Sequence, residues 1–162
     1  MGYQLIETVT VGSGGAASIE FTGIPQDGVD LVLRFSLRGT TSALAVRVWE
    51  NGNTTQGSNI LLRGDGSAVQ SSANLSYVAL QSMNSNTSNT FGSAELMISN
   101  YTTTNTKSIS VASVSENNAT AAFQLLSAAF TFGTAAITSL VLSFSSGNIV
   151  QYSSASIYMI TE

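Results

Sequence analysis

The stretch at residues 31–38 reads Leu31-Val32-Leu33-Arg34-Phe35-Ser36-Leu37-Arg38. Its odd-numbered positions are all apolar, whereas Arg34 and Arg38 fall on the opposite side of an extended chain. A period of two is typical of a half-buried antiparallel strand, which packs one face on a core and turns the other to solvent. This stretch therefore predicts a strand at the centre of an antiparallel sheet.

The same alternation recurs along the chain and predicts at least eight strands. The further segments lie near 5–11, 18–22, 44–48, 94–98, 108–114, 123–125, 139–144 and 155–160. The stretch at 119–129 is the one plausible helix, but its small and β-branched residues and its lack of charge favour a strand. Asn51-Gly52 is a strong signal for a two-residue hairpin. Between 54 and 90 the alternation loosens, which indicates long loops around short strands.

These patterns predict a single all-β domain over residues 1–162. No repeat of 20–50 residues is visible in the sequence, which argues against a propeller or solenoid. Eight or more strands with long crossing loops favour an antiparallel two-sheet sandwich that is jelly-roll-like. A closed barrel is the alternative.

The composition excludes several classes of partner. Charged residues make up 9% of the chain, against roughly 25% in typical soluble domains. The net charge is −4 with five basic residues, so a nucleic-acid partner is not expected. There is no apolar run long enough to cross a membrane and no signal peptide at the N-terminus. The scarcity of charge favours a surface that is covered in an assembly.

The chain has no His and no Cys, which removes the commonest general base, thiol nucleophiles and thiolate metal ligands together. Carboxylates remain, but Glu20 and Glu95 fall at outward positions of alternating strands, where a solvated charge is expected. Asp27, Asp30 and Asp65 lie beside glycines and turns without the spacing of a calcium loop. We therefore expect no enzyme activity, no catalytic residues, no metal site and no cofactor.

Aromatic side chains are the remaining candidates for binding. Trp49 falls on the strand face opposite Val46 and Val48, alongside Arg47, so it is expected to point away from the core. Such a Trp is either covered by a loop or buried in a neighbouring subunit, and we favour the second interpretation. Four residues are the interface candidates: Trp49, Arg47, Tyr77 and Tyr101.

Several phrases of the sequence resemble small structural proteins of tailed-bacteriophage virions. They are Ile6–Val11, Ala16–Pro25, Asp30–Leu33, Phe91–Leu96, Asn100–Thr102, Lys107–Val111, Ala135–Leu140 and Ala155–Tyr158. The likeness touches both ends and the middle of the chain. It departs from the family at the close, where Met159 replaces the Gly of a usual Tyr-Gly-Ile.

The resemblance implies a virion structural protein, assembled in the bacterial host cytoplasm, with a β-sandwich fold and no catalytic or metal residues. The leading hypothesis is a capsid decoration (cement) protein that binds and stabilises the shell of major capsid protein as a homotrimer. The absence of extended shaft segments favours this role over a fibre. The alternative is a tail- or fibre-associated receptor- or carbohydrate-binding module, whose exposed aromatics are expected on the loops at 54–90.

Overall fold

The computed structural model describes residues 2–42, 45–55, 59–73, 77–82, 84, 86–116, 122–131 and 133–162. Within these residues the chain forms strands and no helix, so the all-β prediction is confirmed. The strands are β1 (Gly2–Thr10), β2 (Ser18–Thr22), β3 (Asp30–Ser36), β4 (Ala45–Glu50), β5 (Asn59–Gly64), β6 (Val69–Ala73), β7 (Ala79–Leu80), β8 (Ser93–Ile98), β9 (Ser108–Glu116), β10 (Ala122–Thr131), β11 (Ser139–Phe144) and β12 (Ser154–Thr161).

The strands form two antiparallel sheets. The larger sheet has eight strands in the order β1-β12-β3-β8-β9-β10-β5-β6, and the smaller has four in the order β2-β11-β4-β7. Along the chain β1 to β4 alternate between the two sheets, as do β7 with β8 and β11 with β12. The pairs β5–β6 and β9–β10 belong to the larger sheet alone and extend it beyond β8.

The core lies between the two sheets, as expected for a sandwich. Leu33 of β3 and Leu96 of β8 are register partners in the larger sheet, and both are fully buried. Val48 and Leu142 are register partners in the smaller sheet and belong to the same core cluster. Burying each of these large aliphatic side chains stabilises the fold by about 1.5–3 kcal/mol.

The predicted strand at 31–38 is confirmed as the centre of this arrangement. β3 lies between β12 and β8, with Leu31, Leu33 and Phe35 buried and Arg34 exposed. The predicted strand at 119–129 is also confirmed where the structure describes it, as β10. Residues 119–121, and Leu44 of the predicted strand at 44–48, lie outside the described residues.

The Asn51-Gly52 hairpin prediction is wrong, although the turn itself is present. Both residues have positive φ angles, 48° and 71°, as a tight primed turn requires. The strand that follows, β5, nevertheless pairs with β6 and β10 and not with β4. Both edges of β4 are already paired, with β11 and β7, so β5 does not add to it. The Asn51 side chain instead holds the 136–138 segment, since its Nδ2 donates to the carbonyl oxygen of Ala136 and its Oδ1 accepts from the Thr138 amide.

Candidate functional site

Trp49 and Arg47 point outward from the smaller sheet, as the alternation predicts. Both are half-buried, whereas Val46 and Val48, which alternate with them along β4, are fully buried. The Arg47 guanidinium carbon lies 6.0 Å from the centroid of the Trp49 ring, which is within the range of a cation–π contact. The orientation of Trp49 is thus confirmed, and its burial against a neighbouring subunit stays a prediction.

Tyr77 joins these two residues on the smaller sheet, whereas Tyr101 does not. Tyr77 is half-buried and directly precedes Val78, whose amide donates to the carbonyl oxygen of Val46. Tyr101 is fully buried; its hydroxyl donates to the Pro25 carbonyl and accepts from the Gly28 amide. Tyr101 therefore stabilises the fold and offers no surface to a partner.

A groove of about 480 Å³ crosses the outer face of the larger sheet over β12, β3, β8 and β9. It exists because small side chains occupy the outward positions of neighbouring strands. Its floor is formed by Ser36, Ser93, Ala112, Ser154 and Ser156. The register places Ser154 opposite Ser36 and Ser156 opposite Arg34, so the serine hydroxyls lie in adjacent rows.

Arg34 and Glu95 form the charged centre of the groove. They are register partners on β3 and β8, and Arg34 Nε donates to Glu95 Oε2 at 2.7 Å. The hydrogen bond to Glu95 raises the pKa of Arg34. The Arg34 guanidinium carbon also lies 5.8 Å from the Tyr3 ring centroid and 5.7 Å from that of Tyr158. The two rings meet edge to face at 6.4 Å, and this cluster lies next to Arg34, outside the residues that line the groove.

The far end of the same outer face is apolar. Leu62 and Val69 are 44% and 76% exposed, and Ile60 and Val114 are also exposed. Val114 and Val69 lie in one row across the sheet, because Val114 aligns with Gln124, Gln124 with Gly64, and Gly64 with Val69. We call these four exposed side chains the β5–β6 patch: Ile60, Leu62, Val69 and Val114.

The β5–β6 patch borders an open sheet edge. β6 pairs with β5 on one side, and no described residue pairs with its other side. All five residues of β6 are exposed and none is charged. Natural edge strands are usually blocked by charge, proline or a bulge, because an unpaired row of amides and carbonyls recruits other strands. β6 has none of these features.

The outward carboxylates are placed as the alternation predicts. Glu20 is exposed and accepts from the Ser18 hydroxyl, and Glu95 is bound to Arg34. Asp65 caps the turn between β5 and β6, because its Oδ1 accepts from the amides of Ser67 and Ala68. These hydrogen bonds lower the pKa of Asp65 to about 2. No cluster of three or more potential metal-ligating side chains occurs among the described residues.

Glu50 and Lys107 form a buried polar site that the sequence pattern did not reveal. Lys107 Nζ donates to the carbonyl oxygens of Thr103, Thr134 and Ala135 at 2.5, 2.8 and 2.7 Å. Glu50 accepts from the amide of Gly133 at 2.9 Å. Burial raises the pKa of Glu50 and lowers that of Lys107. Because both side chains bind loop backbone, they hold the 133–135 loop against the fold.

The sequence patterns identified the outward positions of Arg34 and Glu95 but not the groove that they form. The serines that alternate with apolar residues in the predicted strands could have indicated a groove. The sequence does not give the register of distant strands, so it could not show that these serines lie side by side. Comparisons with protein-family models, with curated proteins and with solved structures give no match. In the part of the chain that the structure describes, no helix has the length and apolarity of a membrane span.

Proposed function

We propose that this protein is a non-catalytic structural component of a phage virion, namely a capsid decoration protein. In this role it binds the shell of major capsid protein as a homotrimer and stabilises it. The observation that carries the proposal is the β5–β6 patch beside the open edge of β6. An apolar group next to an unpaired edge is a surface that a protein partner can cover with both side-chain and main-chain contacts.

The charge distribution supports a protein partner at this surface. β6 carries no charged residue, and the exposed members of the patch are aliphatic. The cores of protein–protein interfaces are depleted of charged residues relative to the rest of the surface. Charged residues make up only 9% of the chain, which fits a protein whose surface is covered by partners when it functions.

The stabilisation of the shell by such a protein follows from mass action. A partner that binds only the assembled shell stabilises the shell by its binding free energy at each occupied site. If the partner is oligomeric, several contacts form together and the apparent affinity rises above that of one contact. A trimer that carries three copies of the patch would therefore tie neighbouring capsid subunits together.

We also propose that the sandwich has jelly-roll connectivity. The support is the strand order, in which β1-β12-β3-β8 of the larger sheet stands against β2-β11-β4-β7 of the smaller. Successive strands of this set alternate between the sheets, except for β4 and β7, which both lie in the smaller sheet, as in a double Greek key. β5, β6, β9 and β10 are then additions to the eight-stranded framework, and the β5–β6 patch lies on the additions.

The test is reconstitution on capsids that lack this protein. The purified chain is added to such capsids, and its stoichiometry is measured by co-sedimentation against the major capsid protein. We expect binding at a copy number comparable to that of the major capsid protein, with a higher melting temperature of the shell. Light scattering of the isolated chain is expected to give a trimer. A few copies per particle, located at the tail, would contradict decoration and favour the receptor-binding alternative.

A matched pair of variants assigns the surface. Leu62→Ser combined with Val69→Ser removes two aliphatic contacts from the patch and should weaken capsid binding about tenfold or more. Leu5→Ser is the control, because Leu5 is also an exposed leucine in the same sheet but lies on the opposite edge, in β1. Equal binding by both variants would contradict the assignment of the patch to the capsid contact.

A further inference from the structure

We propose that the groove on the outer face of the larger sheet binds a neutral saccharide. This inference concerns the groove over β12, β3, β8 and β9, which meets the β5–β6 patch at Val114, and it does not depend on capsid binding. The observations that support it are the serine hydroxyls in the lining, the balanced charge at the centre and the exposed aromatic ring next to Arg34.

The floor selects for a ligand rich in hydroxyl groups. Ser36, Ser93, Ser154 and Ser156 line it, and each serine hydroxyl can both donate and accept a hydrogen bond. Ser156 is already bound to Thr8, at 2.8 Å between the hydroxyl oxygens. A volume of about 480 Å³ is within the range of about 300–1,000 Å³ that is usual for small-molecule sites.

The Arg34–Glu95 pair selects against a charged ligand. Arg34 Nε is bound to Glu95 Oε2, which is the guanidinium's one hydrogen bond within the described part of the chain. Its Nη groups therefore keep their donors, and Glu95 Oε1 keeps an acceptor, a few ångströms apart. An anion at the pair would meet Glu95 and a cation would meet Arg34. Neighbouring hydroxyls, which donate and accept at short spacing, match both groups.

Tyr3 lies beside the groove, against Arg34, and offers an apolar contact to a saccharide that extends past Arg34. Its side chain is 61% exposed, and its ring is held by Tyr158 edge to face and by the Arg34 guanidinium. A ring that is already positioned loses little conformational entropy on binding. Aromatic side chains combine an apolar face with a polar edge, which suits the C–H face and the hydroxyls of a pyranose.

The groove is less suited to a peptide strand than to a saccharide. It lies over β12, β3, β8 and β9, each of which is paired on both sides within the sheet. Their main-chain amides and carbonyls are therefore engaged in the sheet, and a peptide could not add to it there as it can at an edge. The lining consists of five serines, Arg34 and Glu95 together with Phe35, Ala94, Ala112 and Val114, so a ligand meets hydroxyls, the ion pair and apolar surface.

The experiment is a glycan array probed with the full chain, followed by isothermal titration of the strongest neutral oligosaccharide. Tyr3→Ser and Arg34→Ala should each weaken that binding by about tenfold or more. Tyr152→Asn is the control, because Tyr152 is 72% exposed outside the groove and Asn accepts its positive φ of 70°. Its affinity should stay at the wild-type value.

Glu95→Gln tests the charge argument separately. It keeps the shape of the groove but leaves Arg34 without an anionic partner, so sulfated or sialylated glycans should gain affinity relative to neutral ones. Three results would overturn the proposal: no neutral glycan bound by the wild-type chain, binding that Tyr3→Ser and Arg34→Ala leave unchanged, or binding of anionic glycans alone. Capsid reconstitution with the same variants separates this site from the patch, because these variants should bind capsids normally.

Discussion

The two edge strands of the larger sheet, β1 and β6, are built in opposite ways. β1 has nine residues and pairs with β12 from Gly2 to Thr10, with a bulge between Leu5 and Glu7. Ile6 and Val9 of β1 pack against the core. β6 has five residues, pairs with β5 alone and buries none of them.

The difference shows which edge of the larger sheet is blocked against pairing with another chain and which is not. A bulge and a charged residue at the middle of an edge strand, such as Glu7 of β1, discourage pairing with another chain. β6 has an uncharged edge, buries none of its residues and is held by β5 alone, which in turn pairs with β10. The β5–β6 end is therefore the part of the sheet that we propose a partner covers.

The outer face of the larger sheet shows the same division in its chemistry. On the β12, β3 and β8 strands it carries serine hydroxyls and the Arg34–Glu95 pair. On β5, β6 and the end of β9 it carries the aliphatic side chains of the β5–β6 patch. One face thus offers two surfaces, one suited to a hydroxylated ligand and the other to a protein.

The largest expected effect comes from a matched pair of leucines on the covered and uncovered parts of the sheet. Leu33→Ala should lower the free energy of unfolding by about 2–5 kcal/mol, because Leu33 is fully buried between the sheets. Leu62→Ala should lower it by about 1 kcal/mol or less, because Leu62 is 44% exposed and leaves no closed cavity. Urea unfolding of both variants measures the difference. Equal losses would show that the β5–β6 end is buried in the isolated protein.

The buried tyrosine gives the next largest effect. Tyr101→Phe leaves the Gly28 amide and the Pro25 carbonyl without their partner, which should lower the free energy of unfolding by about 1–3 kcal/mol. Tyr158→Phe is the control, because its ring contacts Tyr3 on the outer face and should change stability by about 0.5 kcal/mol or less. If the two variants unfolded at the same urea concentration, the role assigned to the Tyr101 hydroxyl would be wrong.

The smallest effect is a pH dependence confined to the β5–β6 turn. Hydrogen bonds from the Ser67 and Ala68 amides lower the pKa of Asp65 from its ordinary value of 3.8 to about 2. The folded pKa is depressed, so the stabilisation is present above the unfolded pKa and is lost as the pH falls through 3.8 toward 2. Carboxyl titration by nuclear magnetic resonance should give about 2 for Asp65.

The matched variant for that titration is Asp65→Asn, which keeps an acceptor oxygen but cannot ionise in this range. In it the amide signals of Ser67 and Ala68 should not move between pH 4 and pH 2, apart from the uniform drift of the whole spectrum. An Asp65 pKa near 3.8 would contradict the capped turn.

The sequence alone supports most of the fold, because strand faces follow from local alternation. The buried Leu31, Leu33 and Phe35 and the outward Arg34 were all readable from one stretch. The pairing of Arg34 with Glu95 could not be predicted from the sequence, because the two strands are distant in the chain. Alternation carries no information about which strands are neighbours.

Two other features could not be predicted from the sequence. In β5 the run Ile60-Leu61-Leu62 is apolar throughout, so alternation could not show that only Leu61 is buried. Tyr101 follows Asn100, whose positive φ of 54° places a turn directly after β8, and the turn carries the tyrosine into the core. Neither outcome follows from residue type alone, and both depend on contacts with distant segments.

The most direct test of the central claim is hydrogen–deuterium exchange along the two edges, with the protein free and bound to capsids. We expect the amides of 69–73 in β6 to exchange rapidly in the free chain and to become protected on the capsid. The amides of β1 should exchange at the same rate in both samples. Unchanged exchange in β6, or protection that falls on β1 instead, would contradict the account.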